Sequence, residues 1–367
     1  MRFGAVVRMT RRLDWPLVLA VGALTLVGLV TIYSVDLSRG TTLSFFRTQT
    51  ISFGLSLIIL LLAANIHGTR YEFGARWLYG LSLLLLVGVL LFGETIRGTT
   101  GWFRVAGFSF QPVELAKAGL IIFLAWRIER EGRRFSRISF VIATGVLTLA
   151  TVGLIMAQPD LGSAMVIMGI WLGMILLSGT RRRYIVGLLL IGLMVMMIGW
   201  FGFFKDYQKN RLLTFVDPGR DPLGAGYNVN QSLIAVGAGK LFGRGLGFGS
   251  QSQLHFLPEA QTDFIISVIG EELGFVGLCL VLTLYGFILW RLLKIAEGSR
   301  TDFGAYAAIG VALLFLIQMI INMGAAFGLL PVTGVTLPFV SYGGSSLIIN
   351  YFLIGFVLSL ARLTDHT

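Results

Sequence analysis

The chain has 367 residues, 56% of them hydrophobic and only 13% charged, with a mean hydropathy of +0.83. A water-soluble domain cannot hide that much apolar surface, so composition selects an all-α polytopic membrane protein and excludes a soluble enzyme. The net charge of +11 does not signal nucleic acid, because the basic residues cluster beside apolar spans as topology determinants do.

A stretch of about 17–25 apolar residues can cross a bilayer core. Ten such spans are expected, at 14–34, 45–66, 77–93, 111–127, 138–157, 162–179, 184–204, 263–290, 303–328 and 344–362, so residues 1–367 read as one integral membrane domain. Arg2, Arg8, Arg11 and Arg12 precede the first span and no small-residue cleavage site follows it, the pattern of an uncleaved anchor. The fourth span carries Glu114 and Lys117, and a tight basic hairpin, Arg181 to Arg183, separates the sixth from the seventh. With Cys279 as its single cysteine, in an apolar run, the chain can form neither an intrachain disulfide nor a thiolate cluster.

Lys and Arg set the orientation. With a cytoplasmic N-terminus, the inside segments hold Arg2, Arg8, Arg11, Arg12, Arg70, Arg76, Arg127, Arg130, Arg133, Arg134, Arg137, Arg181 to Arg183, Arg291, Lys294, Arg300 and Arg362. The short outside loops hold only Arg39, Arg47, Arg97 and Arg104. Both termini are therefore expected in the cytoplasm, and the large loop 205–262, between the seventh and eighth spans, outside.

A loop of that length is uncommon without a function. It mixes Lys205, Lys209, Arg211, Arg220, Lys240 and Arg244 with Asp206, Asp217, Asp221 and Glu259. The alternating glycines of Gly243-Arg-Gly-Leu-Gly-Phe-Gly249 let the backbone lie close to a ligand or to another backbone. The loop ends in LPEAQTDFIISVIGEELG, residues 257–274. There Thr262 reads as a helix cap and Asp263 as a carboxylate in the first turn of a membrane helix. Such a carboxylate either complements the helix dipole or has a chemical role.

Three other polar features lie at or near membrane depth. Glu114 and Lys117, three apart, share a helix face and can pair structurally or serve a cavity. Asp160, in Gln158-Pro-Asp-Leu-Gly162, either caps the sixth span or faces a ligand. In Leu337-Pro-Phe-Val-Ser-Tyr-Gly-Gly-Ser-Ser346, Ser341, Tyr342, Gly343, Gly344 and Ser345 form either a backbone site at a helix N-terminus or a turn and cap. On the expected topology all these features converge on the outer face. The result is a polar cavity suited to a lipid-linked phosphate donor and a hydroxyl acceptor.

These words together resemble the SEDS family (shape, elongation, division and sporulation), the peptidoglycan polymerases that include RodA and FtsW. The resemblance spans the chain and rests on QPVELAK at 111–117, QPDLGSA at 158–164, DPLGAGYNVNQSLIAVGAGKLFGRG at 221–245, FLPEAQTDFI at 256–265 and LPFVSYGGSS at 337–346. The short termini, His255-Phe256 and GLLPVTGVTLPFVSYGG look more like the RodA branch than the FtsW branch. The resemblance implies polymerisation of lipid II, with a growing glycan on undecaprenyl pyrophosphate as donor and a GlcNAc 4-hydroxyl as acceptor. It implies Asp263 as the base, with Lys117, Arg211 and Lys240 or Arg244 as candidates to bind the leaving pyrophosphate. Glu114, Asp160 and residues 341–345 join the substrate set, and a divalent cation, Mg or Mn, could sit on Asp160 and Asp263.

A class B penicillin-binding protein is the implied partner, because no transpeptidase motif set is present; elongation-complex proteins and lipid II complete the partners, with no nucleic acid. A lipid II flippase, a non-catalytic scaffold and an O-antigen ligase are the competing readings. The ionisable residues concentrate outward rather than along a transmembrane path, and the ligases lack the TDFI and SYGGSS words.

Overall fold

The computed structural model describes residues 13–40, 43–96, 98–105, 108–132, 138–202, 209, 213–215, 217 and 224–361. In chain order the helices are α1 (Trp15–Leu37), α2 (Ser44–Asn65), α3 (Gly68–Phe92), α4 (Pro112–Glu131), α5 (Ile138–Ala157), α6 (Leu161–Leu177), α7 (Arg182–Gly202), α8 (Ala225–Ala238), α9 (Ser250–Gln253), α10 (Ile265–Glu297), α11 (Asp302–Ala326) and α12 (Gly344–Ala361). Among the described residues seven helices are long and apolar enough to cross a membrane: α1, α2, α3, α5, α10, α11 and α12. Helices α4, α6 and α7 occupy the other three expected segments. This is a multi-pass membrane protein.

The all-α expectation holds, with one small addition. Between α3 and α4 lie three short antiparallel strands in the order β1 (Glu94–Ile96), β2 (Thr99–Val105), β3 (Phe108–Phe110). The two outer strands, of three residues each, carry no readable alternation, and pairing within this sheet satisfies backbone that no helix covers. Its end leads straight into Pro112, pre-set for the first turn of α4.

Burial separates the centre from the lipid-facing rim. The apolar window of α12 is 78% buried and those of α1 and α11 are 56% buried, whereas α2 and α3 reach only 22% and 28%. Close helix contact at the centre depends on missing side chains. A Cβ on Gly28 would stand 2.4 Å from Val340 O, and one on Gly355 would stand 2.5 Å from Leu60 O.

Helices α1 and α10 run antiparallel and are pinned at two levels. Asp14, which caps α1, pairs with Arg291. At the other end Ser34 Oγ donates to Glu272 Oε1 at 2.6 Å. The two levels are separated along α1 by about 30 Å at 1.5 Å per residue, the thickness of a bilayer core. Asp263 lies on the Ser34 side of that slab, because Arg39, just past α1, reaches Gln261.

Helix α10 is not continuous. Gly274 has φ 67° and ψ −163°, which breaks the ladder two residues past Glu272. The orphaned groups are repaired by the glycine loop. Phe275 N donates to Lys240 O (2.9 Å) and Val276 N to Leu241 O (3.1 Å); Arg244 N donates to Glu271 O (2.9 Å) and Gly245 N to Glu272 O (3.0 Å). The approach is so close that a Cβ on Gly239 would lie 1.8 Å from Gly270 O, and one on Gly243 2.1 Å from Glu272 O. Of the two uses that alternating glycines allow, this structure therefore shows backbone against backbone. The Glu271 carboxylate, 0% exposed, completes the joint by accepting from Gln251 N (2.8 Å) and Ser252 N (3.1 Å). Half of the expected external loop is thus a hairpin, α8 to α9, folded along the first part of α10.

Two glycines on this hairpin should respond oppositely to alanine. Gly243→Ala forces a Cβ into Glu272 backbone at φ 81° and is expected to abolish accumulation of folded protein. Gly237 on α8 faces open space, and Gly237→Ala is expected to be neutral or to stabilise by about 0.4–1 kcal/mol. Fluorescence-detected gel filtration and thermal unfolding of the two variants in detergent separate the outcomes.

Candidate functional site

The expected helix start at Thr262 and Asp263 is corrected by the structure. Helix α10 begins at Ile265 behind a Phe264 cap residue that makes no side-chain cap bond. Thr262 Oγ1 instead turns back to Glu259 Oε2 (3.1 Å), while Thr262 N and Phe264 N both reach Glu259 O (3.0 and 3.4 Å). Glu259, at φ 52°, reverses the chain, and Asp263 stands half-buried on the resulting turn rather than in the first turn of the helix. Local bonding across the turn outcompeted the cap that Thr262 offers in isolation.

Three successive carbonyls of this turn are held from the C-terminal third of the chain. Tyr342 N donates to Gln261 O at 2.9 Å. Ser341 Oγ donates to Thr262 O at 2.7 Å. Asn322 Nδ2, from α11, donates to Asp263 O at 3.1 Å and to Val335 O at 2.8 Å. The clamp is itself braced: Ser341 Oγ accepts from Leu337 N (2.9 Å), and Gln49 of α2 donates to Ser341 O (3.2 Å) and accepts from Gly343 N (3.1 Å). Phe45 stands edge-on to Tyr342 at 4.9 Å.

The 341–346 segment is thereby assigned to the turn reading. The amides of Tyr342 and Gly343 already serve protein acceptors, and Gly344 is the first residue of α12. Ser345 ties a different corner, accepting from Gln111 N (3.2 Å) and donating to Ser109 O (2.6 Å). Through that corner α4 is fixed against α12, one turn before the Glu114–Lys117 pair. Lys117 Nζ lies 2.8 Å from Glu114 Oε1, with the residues 2% and 5% exposed.

Asp160 caps α6. Its Oδ1 accepts from Ser163 N (2.9 Å) and its Oδ2 from Ser163 Oγ (2.7 Å). Two residues on, Gly162 presses against the main chain of Thr333, where a Cβ would come within 2.6 Å of Thr333 O. Gly334 follows, and a Cβ there would meet Asp263 Oδ2 at 3.9 Å. The segment 333–335 therefore lies between the start of α6 and the Asp263 carboxylate. Both Asp160 oxygens accept from Ser163, the 333–335 segment stands between Asp160 and Asp263, and among the described residues no three His, Cys, Asp or Glu side chains cluster as metal ligands.

The basic candidates divide. Arg211 lies outside the described residues. Lys240 is exposed at the tip of the α8 hairpin, and Arg244 binds Ala238 O (3.4 Å) and Ser250 Oγ (2.8 Å) within that same hairpin. Both stand at the level of the Gly274 break, about 15 Å along α10 from Asp263 at 1.5 Å per residue. The structure instead brings Arg39 to the turn. Its guanidinium donates to Gln261 Oε1 at 3.0 Å and lies 5.2 Å over the Phe45 ring, while the residue stays exposed. Sequence reading did not single out Arg39, Gln49, Gln261 or Asn322. Asn322 had a signal, an amide in an otherwise apolar run, whereas Arg39 looked like any loop arginine.

The family described as Cell cycle protein, FTSW_RODA_SPOVE, matches residues 14–366. The chain belongs to the FtsW/RodA/SpoVE family. It is 38% identical over 349 residues to the peptidoglycan glycosyltransferase MrdB of Escherichia coli, covering 95% of this chain and 93% of that protein. It is 36% identical over 360 residues to the probable peptidoglycan glycosyltransferase FtsW of Trichlorobacter lovleyi, covering 95% and 93%. A solved structure described as structural coordination of polymerization and crosslinking by a peptidoglycan synthase complex superposes with TM-score 0.82 at 35% identity, covering 97% of this chain and 99% of that one.

The clamp predicts a stability difference between two serines of one segment. Ser341→Ala strands Leu337 N and Thr262 O, and is expected to lower unfolding free energy by about 1–3 kcal/mol. Ser346→Ala removes only contacts at 3.4 Å to Thr336 and Asn350 and is expected to change melting in detergent far less.

Proposed function

We propose that this FtsW/RodA/SpoVE-family protein is a peptidoglycan glycosyltransferase that polymerises lipid II on the outer face of the cytoplasmic membrane. The observation that carries the reading is the triple carbonyl clamp that fixes the Asp263 turn beside a small cavity. A general base must be held in place before the substrate arrives, and a turn bonded at three successive residues supplies that. Asp263 takes the proton of the acceptor 4-hydroxyl as its oxygen attacks the anomeric carbon of the donor. The bond from that carbon to undecaprenyl pyrophosphate breaks, the electron pair leaves with the pyrophosphate, and the anomeric centre inverts.

The departing anion needs positive charge rather than a proton. Arg39 is exposed beside the turn, and its fork can meet phosphate oxygens. Lys117 is buried and paired at 2.8 Å, so it contributes to an anion only as a member of its pair with Glu114. Arg211 remains a candidate from the loop. No step is assigned to a divalent cation.

The external orientation rests on the Lys and Arg asymmetry. The elongation branch rests on His255-Phe256 and the 328–344 words, although relatives of both names match over similar lengths. A crosslinking partner, a class B penicillin-binding protein, is supported by the superposition on a chain of a peptidoglycan synthase complex.

Two experiments test these statements. Asp263→Asn keeps size and polarity but removes the proton acceptor, and is expected to reach the membrane folded while polymerising lipid II about 10²–10⁴-fold more slowly. Wild-type rates from this variant, measured as glycan on gels, would remove Asp263 as the base. For orientation, cysteine replaces Glu94 or Glu297, both exposed and at opposite ends of the bundle, in a Cys279→Ser background. Glu94→Cys is expected to react with an impermeant maleimide in intact cells, and Glu297→Cys only after permeabilisation; the reverse pattern turns the site inward and sinks the external polymerase.

A further inference from the structure

Beside Asp263 two buried polar atoms lack partners among the described residues: Asn322 Oδ1 and Thr333 Oγ1. The residues are 3% and 8% exposed. The Asn322 amide cannot be turned over to cure this, because its Nδ2 already donates to Asp263 O and Val335 O, and reversal would set oxygen against two carbonyls. Its Oδ1 is therefore an acceptor awaiting a donor. Thr333 Oγ1 can both donate and accept. Both residues line, with Asp263 and Gly334, one cavity of about 10 Å³, roughly the room of a single water or hydroxyl.

Buried polar groups are ordinarily paired, and an apolar side chain would fill the Thr333 position without an orphan. Thr333 is held there from behind by the start of α6, since Gly162 abuts its main chain. Asn322 fixes the Asp263 backbone with one end of its amide and presents the other to the cavity.

We propose that Asn322 and Thr333 form, with Asp263, a subsite for two neighbouring hydroxyls of the sugar acceptor. The reacting hydroxyl meets the Asp263 carboxylate. Its ring neighbour enters the cavity, donates to Asn322 Oδ1 and accepts from Thr333 Oγ1. The same amide that sets the base then sets the acceptor, so the distance between them is built into one side chain. This subsite rests on Asp263 acting as the acceptor's base.

Thr333→Val is the cleanest probe, because it keeps the shape and deletes only the orphan hydroxyl. If that hydroxyl has no ligand, valine should leave activity intact and stability equal or higher. The subsite instead predicts an unchanged melting temperature, a five- to tenfold lower kcat/KM for coupling to a lipid-linked acceptor, roughly one hydrogen bond, and recovery in Thr333→Ser. A second arm uses an acceptor lacking the hydroxyl next to the reacting one. Wild type should lose activity on it by a similar factor, and Thr333→Val should lose little more, because the two deletions remove one interaction. Full activity of Thr333→Val, a fall in its melting temperature, or penalties that multiply would overturn the subsite; multiplied penalties would mark the occupant as a water. Asp263→Asn, assayed in parallel, reports on the base alone. An active Asp263→Asn removes the reading on which the subsite rests, whereas an inactive one beside a fully active Thr333→Val removes only the subsite.

Discussion

Backbone that leaves helical geometry inside a membrane protein must find its hydrogen bonds within the protein, because no water is there to supply them. Two places in this chain meet that demand, and the rest of the site depends on how they do so. At Gly274 the ladder of α10 breaks and the α8 hairpin donates and accepts in its place through residues 240–245. At 261–263 the turn before α10 leaves three carbonyls, and Tyr342, Ser341 and Asn322 satisfy them in order. The second repair holds the carboxylate of Asp263 against the 333–335 segment.

This division explains why the polar words near the site do different work. Ser341 acts through its hydroxyl and Tyr342 through its amide to hold the Asp263 turn, Gly343 N is held by Gln49, and Ser345 secures the corner where β3 enters α4. Asp160 spends both oxygens on the first turn of α6. In the proposed reaction the chemistry falls to Asp263 and to basic side chains. Arg39 is open beside the Asp263 turn, whereas Lys117 is neutralised by Glu114 at contact distance, a pair whose burial would be costly if either partner were removed.

Much of this was legible in the chain. Length and apolarity placed the membrane spans, because a bilayer demands about 20 apolar residues wherever a helix crosses. The carboxylate of Asp263 stood out for the same reason, since a charge at a span boundary is expensive. The local start of α10 was misread because the Thr262 hydroxyl has two partners available, the donor amides of a helix terminus and the acceptor oxygens of Glu259, and only the fold decides between them. The outer strands of 94–110, three residues each, were too short to show a period. Arg39 and Asn322 were not singled out because what matters about each is a partner more than 50 residues away: Gln261 for one, Asp263 for the other.

The sequence alone determined the class, the approximate spans, the asymmetry of charge across them and the identity of the words that build the site, because each follows from composition or short-range spacing. Tertiary structure decided which use each word has. Gly239 and Gly243 could have cradled a ligand or another backbone, and the break at Gly274 made them the latter. The Ser341 hydroxyl and the Tyr342 amide could have bound phosphate, and the unpaired carbonyls of 262 and 261 claimed them. In each case a local group offers several hydrogen bonds of similar strength, and the choice among them is made by whichever distant backbone would otherwise be left unpaired.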